Sequence, residues 1–185
     1  KIIMWSNGVD VKSIISKNSL TKIQNYKINF VCVGSLTNWH GIDRLIISIN
    51  NFQKANNLYK FNINLVGDID KNLFINNHII KEYKENGNEI IYHGLKKDEK
   101  LSEVIDVSHI AVGSLGLKIL NNYDRSVLKI REYTAYGIPF IMEANDKEFN
   151  SNINFLFKVN KNIYLIDIKK VINWYINLDP EIPIN

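Results

Sequence analysis

The residues of this chain best equipped for chemistry lie between Asp124 and Glu132. Two acids are separated by seven residues, Arg125-Ser126-Val127-Leu128-Lys129-Ile130-Arg131. Ser126 is a favourable N-cap, so a helix is expected to begin there. The N–H groups of Ser126, Val127 and Leu128 would then lack partners within the helix and face an anion such as a pyrophosphate. Glu132 follows Lys129 by three positions, so one helix face carries both. A carboxylate so placed accepts two hydrogen bonds from a vicinal diol such as a ribose. The same spacing also fits a plain helix whose acids favour its N-terminal half and whose Lys129 pairs locally. Spacing alone leaves both readings open.

These residues need a scaffold, and the rest of the chain supplies its pattern. Residues 28–33 read as a strand ending at Gly34. Residues 41–56 follow as a helix, with Ile42, Leu45, Ile46 and Ile49 on one stripe. Residues 61–66 form a strand before Gly67, 71–85 a helix, and 89–92 a strand before His93-Gly94. A short helix over 101–107 leads to a strand over 110–112 that stops at Gly113. The helix expected over 126–136 has Gly137 past its end and Pro139 beyond, a normal stop signal. A strand over 138–142 and a closing helix over 167–178 complete the series. Alternating strands and helices predict βαβ units and a parallel sheet. The expectation is a Rossmann-like three-layer α/β/α domain over residues 26–185, preceded by an interdomain segment or arm over 1–25. Four strands end in or beside Gly34, Gly67, Gly94 and Gly113, at the carboxyl ends where such sheets bind ligands. Any one of these glycines also fits a simple tight turn.

Composition narrows the class. The 185 residues are 45% hydrophobic, which supports a globular core over disorder. Net charge is +4, from 23 Lys and Arg against 19 Asp and Glu. Arg44, Arg125 and Arg131 are the chain's arginines, and its lysines are scattered among Asn and Ile, a poor footprint for nucleic acid. Cys32 is the single cysteine, so no disulfide forms within the chain and a reducing compartment is expected. No apolar stretch reaches the roughly 18 residues of a membrane span, and residues 1–11 carry no signal-peptide pattern. His78, His93 and His109 have no partner at ligand spacing, so no metal site is expected. His40 reads two ways, as a partly charged donor to a ligand or as the stabiliser of a turn beside Trp39.

The acid-x7-acid spacing, followed by Tyr133-Thr134-Ala135-Tyr136-Gly137-Ile138-Pro139-Phe140-Ile141, resembles the signature of family-4 retaining glycosyltransferases and their GT-B relatives. Glu132 matches the second glutamate of that signature; Asp124 stands where the first is usual. Other pieces are similar and in the same order. Asn7-Gly8-Val9-Asp10 is similar to the interdomain segment. Val33-Gly34-Ser35-Leu36 with His40-Gly41-Ile42-Asp43 is similar to the first strand, loop and helix. Tyr92-His93-Gly94 is similar to the third strand end. The segments 39–44, 113–117 and 128–133 together resemble a capsular or surface-polysaccharide branch of bacteria. The resemblance covers about residues 7–145. Many members place an Arg and a Lys on the donor pyrophosphate where this chain has Ser35 and His40.

The resemblance implies the donor-binding half of a GT-B enzyme that transfers a sugar, with retention, from a nucleotide-diphosphate sugar to a glycan or lipid-linked acceptor. Asp124 and Glu132 would be the acids at the reacting centre, Glu132 on the ribose and Asp124 with Gly116 and Leu117 on the transferred sugar. Leu95, after Gly94, would hold the base edge. Gly34, Ser35, His40 and the N–H groups of Ser126, Val127 and Leu128 would border the diphosphate. Lys129, Arg125 or Arg131 would supply the positive charge. No cofactor or metal is implied. The acceptor would come from an N-terminal domain beyond this chain, so these residues alone are expected to be inert in transfer while still binding nucleotide. A cytoplasmic location follows, with room for peripheral association of the full-length protein at the inner face of the membrane. Three other readings stay open: a GT-B nucleotide-sugar epimerase, a non-catalytic binding module suited by Ser35 and His40, and an unrelated doubly wound domain.

Overall fold

The period-two pattern of residues 27–33 sends Ile28, Phe30 and Cys32 to one face and Val31 to the other. All four are completely buried, as expected of a strand covered on both sides. The computed structural model describes residues 8–70, 76–116, 128–146, 149 and 153–180. In it this strand, β1 (Lys27–Val33), sits inside a sheet of six: β2 (Lys60–Val66), β3 (Glu89–Gly94), β4 (Ile110–Val112), β5 (Phe140–Met142) and β6 (Leu156–Lys158). Every pairing is parallel and the spatial order is β3-β2-β1-β4-β5-β6. This is the doubly wound Rossmann order.

The helices are α1 (Ile42–Ala55), α2 (Asn77–Glu85), α3 (Asp98–Asp106), α4 (Leu128–Tyr136) and α5 (Ile168–Ile176). One core joins α1, α2 and α5 to the first face of the sheet; a second joins α3 and α4 to the other. Helix α1 shows why the elements form. Its isoleucines cost a few tenths of a kcal/mol each in intrinsic propensity, below about 0.7. Burying Ile42, Leu45, Ile46 and Ile49, each at most 1% exposed, returns roughly 1.5–3 kcal/mol apiece. Packing therefore decides the outcome. The Asn76 side chain caps α2 by accepting from His78 N–H at 2.8 Å, and Asp167 caps α5 by accepting from Lys170 N–H at 3.0 Å. Helix α4 stops as its sequence predicts: Gly137 has φ +70° and its N–H donates to Thr134 C=O at 3.0 Å.

Strand β6 has no counterpart in the expected series, and α3 begins three residues earlier than expected. The segment before β1 is bonded to the domain. Lys17 Nζ donates to the carbonyls of Ile105, Asp106 and Ser108 at 3.1, 3.0 and 2.8 Å, closing the C-terminal end of α3 where a cation is favoured. Its backbone N–H donates to Tyr136 C=O at the end of α4, at 2.8 Å. Tyr175 of α5 donates to Thr21 C=O at 2.6 Å. Among the described residues no helix is long and apolar enough to cross a membrane.

Candidate functional site

The chain winds outward from β1 through β2 to β3, then crosses to β4 on the other side. The winding reverses between β1 and β4, which opens a crevice at their carboxyl ends. Two loops line it, one after Val33 and one after Val112. They are tied together by Leu115 N–H donating to His40 C=O at 3.2 Å and Gly116 N–H donating to Trp39 C=O at 3.1 Å. Gly41 makes this approach possible. Its φ is +67°, and a Cβ there would lie 2.6 Å from the Leu115 carbonyl carbon. At the end of β2, a Cβ on Gly67 would lie 2.1 Å from the Gly34 oxygen. The four glycines singled out in the sequence do stand at the carboxyl ends of β1 to β4.

The 3-10 turn Asn38–His40 hangs over this crevice. His40 Nδ1 accepts from Thr37 N–H at 3.0 Å and lies 3.1 Å from Thr37 Oγ1, which assigns the ring proton to Nε2. That nitrogen is turned towards Gly34, where a Cβ would be 3.9 Å away. Burial, and secondly the neighbouring Lys129, pull the imidazole down to about 3. His40 is therefore neutral at physiological pH and is not the partly charged donor that its unperturbed behaviour suggests. It both holds the turn and carries a neutral N–H.

Lys129, in the first described turn of α4, is buried, and its Nζ has no hydrogen-bond partner. The local pairing of a plain helix is not made. Instead Nζ lies 5.4 Å from the centre of the Trp39 ring, which itself stacks on His40 at 3.9 Å. Burial pulls the amine below its ordinary value, partly offset by Cys32. A second unpartnered polar atom, the buried Ser114 hydroxyl, sits at the end of β4. Buried polar groups are nearly always satisfied; of the four unpartnered side-chain atoms among the described residues, these two lie at the switch point, and the other two belong to Asn29 and Asn50.

The remaining candidates divide clearly. Glu132 is half-buried, and burial raises its carboxyl above the ordinary range. Ser35 and Leu95 are exposed, the latter by 65%, just beyond Gly94 at the end of β3. Leu128 is exposed, and Gly116 lies beside the tied loops. Leu117, Asp124, Arg125, Ser126 and Val127 lie outside the described residues. Arg131 is removed from the list of phosphate cations. Its guanidinium grips Asp146 at 2.5 and 3.1 Å, deep in the protein, and lies over the Phe149 ring.

Sequence reasoning passed over Trp39, Ser114 and Arg44. Arg44 donates to the carbonyls of Leu115, Asn160, Ile163 and Tyr164 and pairs with Glu143 at 3.2 Å. It thereby fixes the loop after β4 against the segment before α5, beside a cavity of about 310 Å³. The sequence offered no signal for it, since Arg44 lies off the apolar stripe of α1. Among the described residues no three His, Cys, Asp or Glu side chains cluster as a metal site requires.

Strand order, layers and switch-point crevice together define the Rossmann-like half of a GT-B fold. Solved structures share it. The crystal structure of the GtfA/B complex matches with a TM-score of 0.53 at 14% identity, over 90% of this chain and 33% of that one. A trehalose-6-phosphate synthase structure, from work on enzymatic glycosyl transfer with retention, matches with a TM-score of 0.51 at 13% identity, over 93% of this chain and 43% of that one. The chain thus spans about a third of the length of the first and under half of the second. No family model and no curated protein matches the chain.

Proposed function

We propose that this chain is the donor-binding half of a retaining glycosyltransferase, moving a sugar from a nucleotide-diphosphate sugar to a glycan or lipid-linked acceptor in bacterial surface (capsular) polysaccharide synthesis. The observation that carries the reading is Lys129, a buried and unpartnered amine at the edge of the β1/β4 crevice. A diphosphate is the anion that a Rossmann switch point beside a helix start is built to hold.

The described residues take their roles from position, and Leu117, Asp124, Ser126 and Val127 take theirs from the sequence resemblance. The diphosphate lies between the Gly34-Ser35 loop and the start of α4. It meets Lys129, the N–H groups of Ser126, Val127 and Leu128, and the neutral Nε2–H of His40. Glu132 accepts the ribose hydroxyls. Leu95 and Gly94 border the base. Gly116 and Leu117, with Asp124, face the transferred sugar. As the bond from anomeric carbon to phosphate oxygen breaks, negative charge grows on the leaving diphosphate, and these fixed donors stabilise it. The acceptor oxygen approaches from a second domain across the cleft, so the whole enzyme's activity needs both halves.

Calorimetric titration of the chain with UDP-, GDP- and CMP-linked sugars and with inorganic pyrophosphate tests this. At least one diphosphate sugar binds, and CMP-linked sugars, with one phosphate, bind less well. Lys129→Met weakens both the sugar nucleotide and pyrophosphate. Glu132→Ala weakens the nucleotide by roughly 10–100-fold, the loss of charged hydrogen bonds, and leaves pyrophosphate unchanged. Equal binding by wild type and both variants removes these residues from the site.

A further inference from the structure

An ammonium ion buried without a hydrogen bond is so costly that the group sheds its proton instead. Lys129 is in that position. Its Nζ is buried without an acceptor, and its face to the protein is the Trp39 ring at 5.4 Å. A cation over an indole is attracted, but by less than the loss of hydration costs.

Among the described residues the neighbouring ionisable groups offset that cost only in part. From β1 the Cys32 thiol faces it, fully buried and held protonated because burial pushes it up. From the 3-10 turn comes His40, kept neutral by burial. On α4 itself, Arg131 is committed to Asp146, and Tyr133 is buried and donates to Val112 C=O at 3.2 Å. Glu132, one position beyond Arg131, makes no bond to Nζ.

We infer that, in the diphosphate site proposed above, Lys129 stands as a neutral amine while the site is empty and gains a proton as the anion arrives. Donor binding and proton uptake are then one event. The inference rests on the donor-site reading of Lys129. The balance is simple. The amine lone pair takes one proton from solvent, no bond of the ligand is made or broken, and the proton leaves when the nucleotide leaves. The ammonium swings off the indole face to a phosphate oxygen, which supplies the acceptor that the empty site lacks. Donor affinity therefore falls as pH rises, by up to about tenfold per unit, across the interval between the empty-site and occupied-site titrations.

The test is titration of the chain with UDP between about pH 7.5 and 9.5, above the ordinary titration of a terminal phosphate near ~6, in two buffers of different ionisation enthalpy. The expected result is a heat that differs between buffers by about one proton taken up per UDP, with the dissociation constant rising with pH. Lys129→Arg, whose guanidinium keeps its charge when buried, is expected to bind without uptake and without the pH slope. Lys129→Met is expected to bind weakly, also without uptake, and carries the comparison if arginine is not accommodated. Tight UDP binding with equal heats in both buffers overturns the inference and leaves the donor-site reading intact. Uptake that persists in Lys129→Met overturns it as well, because another group then takes the proton. No binding of either UDP or GDP at any pH overturns both readings.

Discussion

Four buried nitrogen-bearing side chains meet the same desolvation cost in three ways. Lys17 collects four oxygens, three of them carbonyls at the end of α3. His40 and His109 stay neutral. Lys129 has no acceptor at all. The histidines give a pH dependence of known sign. His109 Nδ1 accepts from Asn29 N–H at 3.0 Å, and burial is the first cause that lowers the ring to about 4; the matching value for His40 is about 3. Both lie below the ordinary 6.5, so between these values the unfolded chain binds protons that the native chain does not. The stability that these neutral rings contribute is fully present above about pH 6.5 and is lost as pH falls. At pH 5 the loss is on the order of 2 kcal/mol for each ring. Urea unfolding from pH 7.5 down to about 5 should show this slope, and His109→Gln should flatten it by about half. An acid limb unchanged by that substitution would contradict the assignment.

At the scale of elements, α4 carries the most consequence. It presents Lys129 to the crevice, buries Arg131 against Asp146 beyond β5, and holds Glu132 half-exposed between them. Asp146→Ala leaves the Arg131 guanidinium buried without its carboxylate, at a cost of about 3–5 kcal/mol in denaturant unfolding. A loss below about 1 kcal/mol would mean that the pair behaves as a surface ion pair. The same helix shows what can and cannot be read from sequence. Helix α1 was legible because its buried stripe is apolar at helical spacing. In α4 two charged residues are buried on different sides of the helix, so the spacing could not separate a ligand cation from a structural one. What separates them is Asp146, fifteen positions after Arg131 and brought to it only by β5. Strand β6, Leu156-Phe157-Lys158, is a three-residue edge strand, too short for its alternation to register. The pairing of Trp39 with Lys129 joins the 3-10 turn after β1 to helix α4, a contact that only the sheet order creates.

At the scale of the molecule, the spatial order β3-β2-β1-β4-β5-β6 converts scattered sequence features into one place. Gly34, His40, Ser114 and Lys129 are far apart in the chain, yet each stands at or beside the carboxyl ends of β1 and β4. Leu95 stands further along the same edge, just past the end of β3, which lies two strands from β1, roughly 10 Å at ordinary strand spacing. The segment containing Lys17 and Thr21 bonds to the ends of α3, α4 and α5 remote from this edge, so the site is carried on a braced domain. The central claim is that a nucleoside diphosphate binds across this edge, phosphates at β1/β4 and base at β3. A crystal structure of the chain with UDP tests it most directly. The account predicts the diphosphate beside the Gly34-Ser35 loop with Lys129 Nζ withdrawn from the Trp39 ring onto a phosphate oxygen, the ribose on Glu132 and the uracil beside Leu95. UDP seated elsewhere, for example in the cavity beside Arg44 and Tyr164, with Lys129 still over Trp39, would contradict it.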